Sequence, residues 1–413
     1  MAGVQRHMRP AFTTAAALLF RAALAYFFSD VLERAPQIST PFHSSAAARE
    51  ARALIKLGLS PYAGEAYHGG PLLLLALPDD VAALPFVLAD AVTIFAATAI
   101  ANAFDAKQVH TFALVHAWNP WAILACAARS TATLDTALCV GALACAAHEQ
   151  GLLSGVLLAL CLNVLPGSVL PILLMLPCLA LLSQRRRISL AVGALATTIP
   201  VAAVNCLLCT HWGDTPFAWL DETFGAQART ESLVPNMGLS WYLQIQTFPE
   251  YRRTMQCVMY MHVGALAVPA WLRLRSSVRD GDVIRHRRVA MHVAALVATS
   301  HLVFRPYPSA ADVATTVLIS AVPLMLFKDD RGILMISYVK GLPVVTLFLL
   351  VFPLLYPVLY YLWAETDAAN ANFLWWSCLF VNGIWIAHAL AQLDAALRFE
   401  EPDEERKEPA CTG

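Results

Sequence analysis

Runs of apolar residues recur along almost the whole chain, at about 10–29, 81–103, 109–126, 132–147, 151–166, 168–183, 188–209, 254–272, 289–304, 311–327, 333–363 and 373–396. A helix needs about 20 apolar residues to cross a bilayer core. This pattern predicts an all-α fold, a polytopic transmembrane helix bundle of about twelve spans. Composition agrees: 14% of residues are charged, against roughly 25% in a soluble domain. Residues 1–398 read as one polytopic membrane domain, and the acidic stretch 399–413 reads as a disordered, solvated tail. Two short segments, 71–77 and 238–248, read as partial or re-entrant helices. Pro343, Pro353 and Pro357 predict a kinked or split helix within 333–363.

The N-terminus has the layout of a signal peptide, with Arg6 and Arg9 before Ala11–Phe20. The apolar pattern continues past Arg21 to Phe28, however, so a retained first span is expected. Basic residues then set the orientation. With the N-terminus in the cytosol, seventeen of the 28 lysines and arginines fall on the cytosolic side, including Arg185–Arg187 and the cluster within 273–288. Both termini are therefore expected in the cytosol, with loops 30–70 and 210–237 on the lumenal side. Within the first loop, Ser44–Leu57 reads as an amphipathic helix lying on the membrane. Ala47, Leu54, Ile55 and Leu57 would form its apolar face, with Arg49, Glu50, Arg52 and Lys56 outside it.

Several function classes are excluded or weakened. A net charge of −1, with no basic groove or zinc spacing, argues against nucleic-acid binding. Most cysteines, Cys126, Cys139, Cys145, Cys161 and Cys178 among them, lie inside apolar runs and read as small hydrophobes. Cys206 and Cys209 form a C-x-x-C without a thioredoxin-like βαβ pattern around it. His68, His211 and His301 lack metal-ligand spacing, so neither metal nor cofactor is expected.

Residues 304–313, Phe-Arg-Pro-Tyr-Pro-Ser-Ala-Ala-Asp-Val, stand out between two apolar runs. Two prolines break the helix. Arg305 and Asp312 are costly this close to lipid unless they face protein, water or a headgroup. Tyr307 and Asp312 are candidate ligand contacts; pairing with Arg305 or capping the next helix would equally account for Asp312. Asn236, in Pro235-Asn-Met-Gly238 before Trp241-Tyr242, opens a half-helix whose N-terminus favours anions, or it is an ordinary cap. Asn370 and Asn372 precede the last span and Asn382 lies within it. Their amides can bond a sugar or phosphate, or cap and join helices.

These marks, in this order, resemble the PIG-U family, a membrane subunit of the glycosylphosphatidylinositol (GPI) transamidase. The resemblance runs from the first span to the last. It rests on Leu57-Gly-Leu-Ser-Pro-Tyr62, Asn119-Pro-Trp-Ala-Ile-Leu124 with Arg129-Ser-Thr131, Pro235-Asn-Met-Gly238, Phe304-Arg-Pro-Tyr-Pro308 with Asp312, and Ala369-Asn-Ala-Asn-Phe373 with Asn382. It departs at Phe104–Gln108, where the family often has a much longer insert, and at Arg305, where a small or lysine-like residue is more usual.

The resemblance implies a glycosyltransferase-C-like scaffold in the endoplasmic reticulum membrane. It implies a non-catalytic role, with the thiol chemistry on a separate caspase-like subunit. Implied partners are PIG-K, PIG-T and PIG-S type subunits, the aminopeptidase-like subunit and the GPI lipid. Asn370, Asn372, Tyr307, Asp312 and Asn236 would hold that lipid. Mannosyltransferases of similar architecture carry acidic residues, often D-x-D, in the first lumenal loop, where a carboxylate takes the acceptor's proton. This loop opens Ser29-Asp-Val-Leu-Glu-Arg34 and adds only Glu50 and Glu65, which argues against that activity. A purely structural scaffold stands as another alternative. A transporter or scramblase lacks the expected repeats and midplane charges.

Overall fold

The computed structural model describes residues 2–35, 37–78, 82–104, 109–165, 168–229, 235–279, 283–326, 355–368 and 370–398. Among these, regular structure is entirely helical. The helices are α1 (Ala2–Phe27), α2 (Ser29–Glu33), α3 (Ser45–Lys56), α4 (Pro71–Ala76), α5 (Leu84–Ala103), α6 (Val109–Ala117), α7 (Pro120–Ala127), α8 (Ala132–Ala147), α9 (Gly151–Val164) and α10 (Leu170–Leu181). They continue with α11 (Gln184–His211), α12 (Ala218–Leu220), α13 (Ala226–Arg229), α14 (Ser240–Gln246), α15 (Pro249–Arg279), α16 (Val283–Phe304) and α17 (Ala310–Leu326). A helix over 355–364, here α18, and α19 (Ala371–Arg398) complete the set.

The helices follow the apolar runs. Leu84–Ala103, Gln184–His211, Pro249–Ser276 and Ala371–Asp394 are long and apolar enough to cross a membrane, and shorter apolar helices such as Ala132–Ala147 and Gly151–Val164 accompany them. The chain is an all-α membrane protein. The two short segments expected as partial helices are α4 and α14. Most of the 333–363 run and the 399–413 tail lie outside the described residues.

Two local readings change. The run 109–126 is broken in two, because Asn119 caps α7, accepting from the Trp121 N–H at 3.0 Å, and Pro120 takes its first position. Helix α3 also turns a different face inward. Ala47, Ala48, Ala51 and Arg52 are buried, whereas Leu57 is exposed. The reason is the neighbouring half-helix. Arg52 donates to the carbonyls of Leu74, Leu77 and Pro78, closing the C-terminal end of α4, where orphaned acceptors and the helix dipole both favour a cation.

Packing within the bundle relies on small residues. Helices α9 and α11 run against each other so closely that a Cβ on Gly155 would lie 2.1 Å from the Leu190 carbonyl oxygen, and one on Gly193 would lie 2.2 Å from that of Leu152. Small residues permit such backbone approach between membrane helices. One large core joins α3 through α6, α8 through α11, and α15 through α17. A second core, built on Trp121, Met237, Trp241, Leu302, Tyr356, Leu374 and Trp385, gathers the ends of α7, α14, α16, α18 and α19.

Arg21, inside the first span, is fully buried. Its Nε donates to Asp90 of α5 at 2.6 Å, and its Nη atoms donate to the carbonyls of Ala17, His116 and Ala117. His116 Nε2 lies 3.2 Å from the second Asp90 oxygen. This cluster ties α1, α5 and α6 together.

Candidate functional site

Three turns meet at one end of the bundle. The first joins α16 to α17. Phe304 ends α16, the prolines at 306 and 308 prevent its continuation, and Ser309 starts α17. Ser309 Oγ lies 3.4 Å from the Asp312 N–H, and Asp312 Oδ2 accepts from the Ser309 N–H at 2.7 Å. This is a reciprocal cap of the capping-box type. The other Asp312 oxygen accepts from Arg305 Nη1. Arg305 is 2% exposed, and its Nη2 reaches His43 Nε2 at 2.6 Å.

His43 lies on the 3-10 turn Pro41–His43 of the first loop. Its backbone oxygen accepts from the Thr131 N–H at 3.1 Å, and its Nδ1 lies 3.2 Å from Thr131 Oγ1. The Arg305 contact makes Nε2 the acceptor, so Nδ1 carries the proton. Burial, and next the Arg305 charge, push the imidazole down to about 3; Asp312 opposes the shift. His43 is thus held as a neutral link between Arg305 and the α7–α8 turn.

Tyr307, 3% exposed, packs on Phe42 with the rings tilted at 41° and 4.9 Å between centres, and Phe42 stacks on His68 at 4.7 Å. The second turn, Pro235–Gly238, abuts the first: a Cβ on Gly238 would meet Pro308 Cδ at 2.8 Å. Asn236 Oδ1 accepts from the Gly238 N–H at 2.7 Å. The carbonyls of Pro235 and Met237 accept from Tyr356 and Asn382, at 2.6 and 3.0 Å. Between the two turns lies a small cavity lined by Trp121, Met237, Leu302, Pro308, Val313, Val381, Asn382 and Trp385.

The third turn opens α19. Asn370 Oδ1 accepts from the Asn372 N–H at 3.0 Å, and Asn372 Oδ1 accepts from the Tyr242 hydroxyl on α14. Tyr242 in turn stacks on Trp375 at 4.7 Å. Both asparagines are exposed.

The structure therefore gathers Tyr307, Asp312 and Asn236 around the two inner turns, and joins Asn372 to them through Tyr242. Asn370 stands on the outer rim. Asp312 and Asn236 are buried and committed to caps and to Arg305, whereas Asn370 and Asn372 are accessible. Sequence spacing did not reveal His43 or Thr131, which are far from residue 305 in sequence. The first-loop carboxylates stand elsewhere: Glu33 accepts from Arg49 at 2.7 Å and from Ser45, and Asp30, Glu50 and Glu65 are exposed. Among the described residues one trio has metal-like donor placement, Asp135, Cys139 and Cys161. There Asp135 Oδ1 accepts from Cys161 at 2.5 Å and the two sulfurs lie 3.6 Å apart, so the thiols themselves satisfy the carboxylate.

The family model for GPI transamidase subunit PIG-U matches residues 15–381, a region that includes all three turns. The chain belongs to the PIG-U family. It is 26% identical over 407 residues to the GPI-anchor transamidase component PIGU of Mus musculus, covering 88% of this chain and 86% of that one. The Homo sapiens protein of the same name is equally similar over 408 residues, with the same coverage of each chain. The GPI transamidase component GAB1 of Saccharomyces cerevisiae is 26% identical over 378 residues, 89% of each chain. The motifs that carried the resemblance lie within the PIG-U match, apart from Asn382, which is one residue beyond it.

Proposed function

We propose that this chain is a non-catalytic subunit of the GPI transamidase that binds the GPI lipid and presents it for attachment to the C-terminus of a precursor protein. The observation that carries the reading is the rim. Asn370 and Asn372 stand exposed at the start of α19, their side-chain oxygens fixed by a backbone N–H and by Tyr242. Their remaining amide N–H groups are free to donate to sugar hydroxyls, beside the stacked faces of Tyr242 and Trp375. Amides held in one orientation by their neighbours suit glycan recognition, because no further side-chain ordering accompanies binding. Asn236, Asp312 and Tyr307 act one layer in. They hold the turns on which the rim stands, and Tyr307 with Phe42 offers an aromatic floor.

Positioning one substrate removes much of the entropic barrier of a two-substrate reaction, so a subunit without catalytic groups can still be essential. The engagement of Glu33 by Arg49 and Ser45 weighs against a mannosyltransferase, which needs a free base in that loop. The reading places the protein in the endoplasmic reticulum membrane, multi-pass, with this end lumenal and both termini cytosolic. It assembles there with PIG-K, PIG-T and PIG-S type subunits and the aminopeptidase-like subunit.

The test is Asn370→Ala with Asn372→Ala in cells lacking the endogenous subunit. Surface display of a GPI-anchored reporter should fall at least about tenfold, the scale of one or two lost hydrogen bonds, while the tagged chain still pulls down its partners. Normal display would sink lipid presentation by the rim and leave a structural scaffold.

A further inference from the structure

The end of the bundle opposite the three turns is basic. Helix α16 links the two ends: it runs 22 residues, Val283–Phe304, or about 33 Å at the rise of an α-helix. At its Val283 end, basic side chains close the C-terminal ends of other helices. Arg287 donates to the carbonyls of Ala147 and Ala103, which end α8 and α5, at 2.8 and 3.3 Å. Arg187 Nε donates to the carbonyls of Leu179 and Leu182 at the end of α10, at 3.0 and 3.2 Å. The His286 side chain hydrogen-bonds the Ala180 backbone beside them. Two basic stretches far apart in sequence thus meet on one helix end, where orphaned carbonyls and the helix dipole favour cations.

Arg185 and Arg186 are not used in this way. Both are exposed at the start of α11, and neither has a hydrogen-bond or ion-pair partner among the described residues. The nearby carboxylate of Glu149 accepts from the Ser183 N–H at 2.9 and 3.2 Å, so it is committed to the helix start. The outward face of α11 continues from Arg185. Ile188, Val192, Leu195 and Ile199 follow it at helical spacing, so all five share one face, and the four aliphatic residues are 51–71% exposed. The stripe is about 21 Å long, more than one leaflet of a hydrocarbon core about 30 Å thick. Leu190 and Gly193, on the opposite face, are buried against α9.

The side chains indicate what covers the outward face. Membrane helices associate through small residues that let backbones approach, and α11 already uses its small-residue face against α9. Branched aliphatic side chains suit acyl chains, and two uncommitted guanidiniums at their end suit a phosphate group with net negative charge. We propose that this face of α11 binds an anionic phospholipid, with Arg185 and Arg186 on the headgroup and the acyl chains along Ile188, Val192, Leu195 and Ile199. This site lies at the other end of the bundle from the asparagine rim and does not depend on the lipid proposed there.

The test uses the purified full-length chain in phosphatidylcholine nanodiscs containing phosphatidylserine or phosphatidylinositol, with retained lipid read by native mass spectrometry. Wild type should retain either anionic lipid over phosphatidylcholine by about tenfold or more, the scale of two arginines at a charged surface. Arg185→Gln with Arg186→Gln should lose that preference without a change in melting, because both side chains are on the surface. Arg185→Lys with Arg186→Lys should keep most of it. No anionic preference in wild type, or the same preference in the glutamine variant, would overturn the site. Glycerophosphoserine, the headgroup without chains, should fail to displace the bound lipid; displacement by it would overturn the role of the apolar stripe. In the complex pulled down from membranes, a photoreactive amino acid in place of Leu195 should capture phospholipid. Capture of another subunit's helix instead would overturn the lipid as occupant.

Discussion

Arg21 and Arg305 are both buried, and each faces an aspartate, yet they are finished differently. Every nitrogen of Arg21 has a partner: Asp90 on Nε and three carbonyls on the Nη atoms. Arg305 gives its Nη atoms to Asp312 and His43 and leaves Nε without a partner among the described residues. The first arrangement spans three helices and is closed. The second bridges a proline-broken turn and a loop. A buried charge pair is thus a lock where its hydrogen bonds are complete, and a candidate site where they are not.

The largest effect should come from breaking the lock. Arg21→Met leaves the Asp90 carboxylate buried without its cation, and removing one partner of such a pair costs about 3–5 kcal/mol. Thermal unfolding in detergent should show a large drop, and the double variant Arg21→Met with Asp90→Leu should recover much of it. No recovery in the double variant would mean that the three carbonyl contacts, and not the ion pair, dominate.

Arg305→Met should cost less, about 2 kcal/mol, since a hydrogen bond to a charged group is worth roughly 1.5–3 kcal/mol and Ser309 still donates to Asp312 from its N–H and hydroxyl. If the comparison holds, the smaller stability loss accompanies the larger loss of GPI-anchored reporter display. Equal loss of display in the Arg21 and Arg305 variants would show that both act only through folding.

His43 sharpens the same contrast through pH. Its folded value of about 3 lies below the ordinary 6.5, so the unfolded chain binds a proton that the folded chain refuses. Stability from this group is complete above about pH 6.5 and is lost as pH falls toward 3, at up to about 1.4 kcal/mol per pH unit. His43→Asn cannot titrate there, so the melting temperature of the variant should decline less steeply between pH 6.5 and 5. Parallel profiles would show that burial and the Arg305 charge do not hold His43 neutral.

The sequence made some of this visible and concealed the rest for physical reasons. Helix positions followed from apolar runs because lipid demands length and composition together. Arg305 and Asp312 could be paired in advance because they stand seven positions apart with two prolines between them. His43 could not, since its contact with Arg305 joins residues 262 apart in sequence. Arg52 was misassigned to an outer face because the choice depends on the carbonyls that α4 presents, and periodicity carries no information about a neighbour's end. The buried amide contacts were hidden for a related reason. Gln244 looks unremarkable singly, and only three-dimensional placement shows its Nε2 donating to Gln256 at 3.1 Å.

The smallest effect on stability should come from the rim. Asn372 is exposed, so Asn372→Ala gives up the side-chain bond to Tyr242 while Asn370 continues to cap α19. Surface substitutions of this kind stay within about 0.5 kcal/mol. The functional cost should nevertheless be large, because the oriented amide is lost and Tyr242 is free to turn. Asn372→Asp separates the two contributions: the carboxylate still accepts from Tyr242 but cannot donate to a sugar. Reporter display lost in both variants, with unchanged melting, assigns the donating N–H groups. Display kept in Asn372→Asp and lost in Asn372→Ala assigns instead the positioning of Tyr242, and it would move the glycan contact from the asparagine to the aromatic pair.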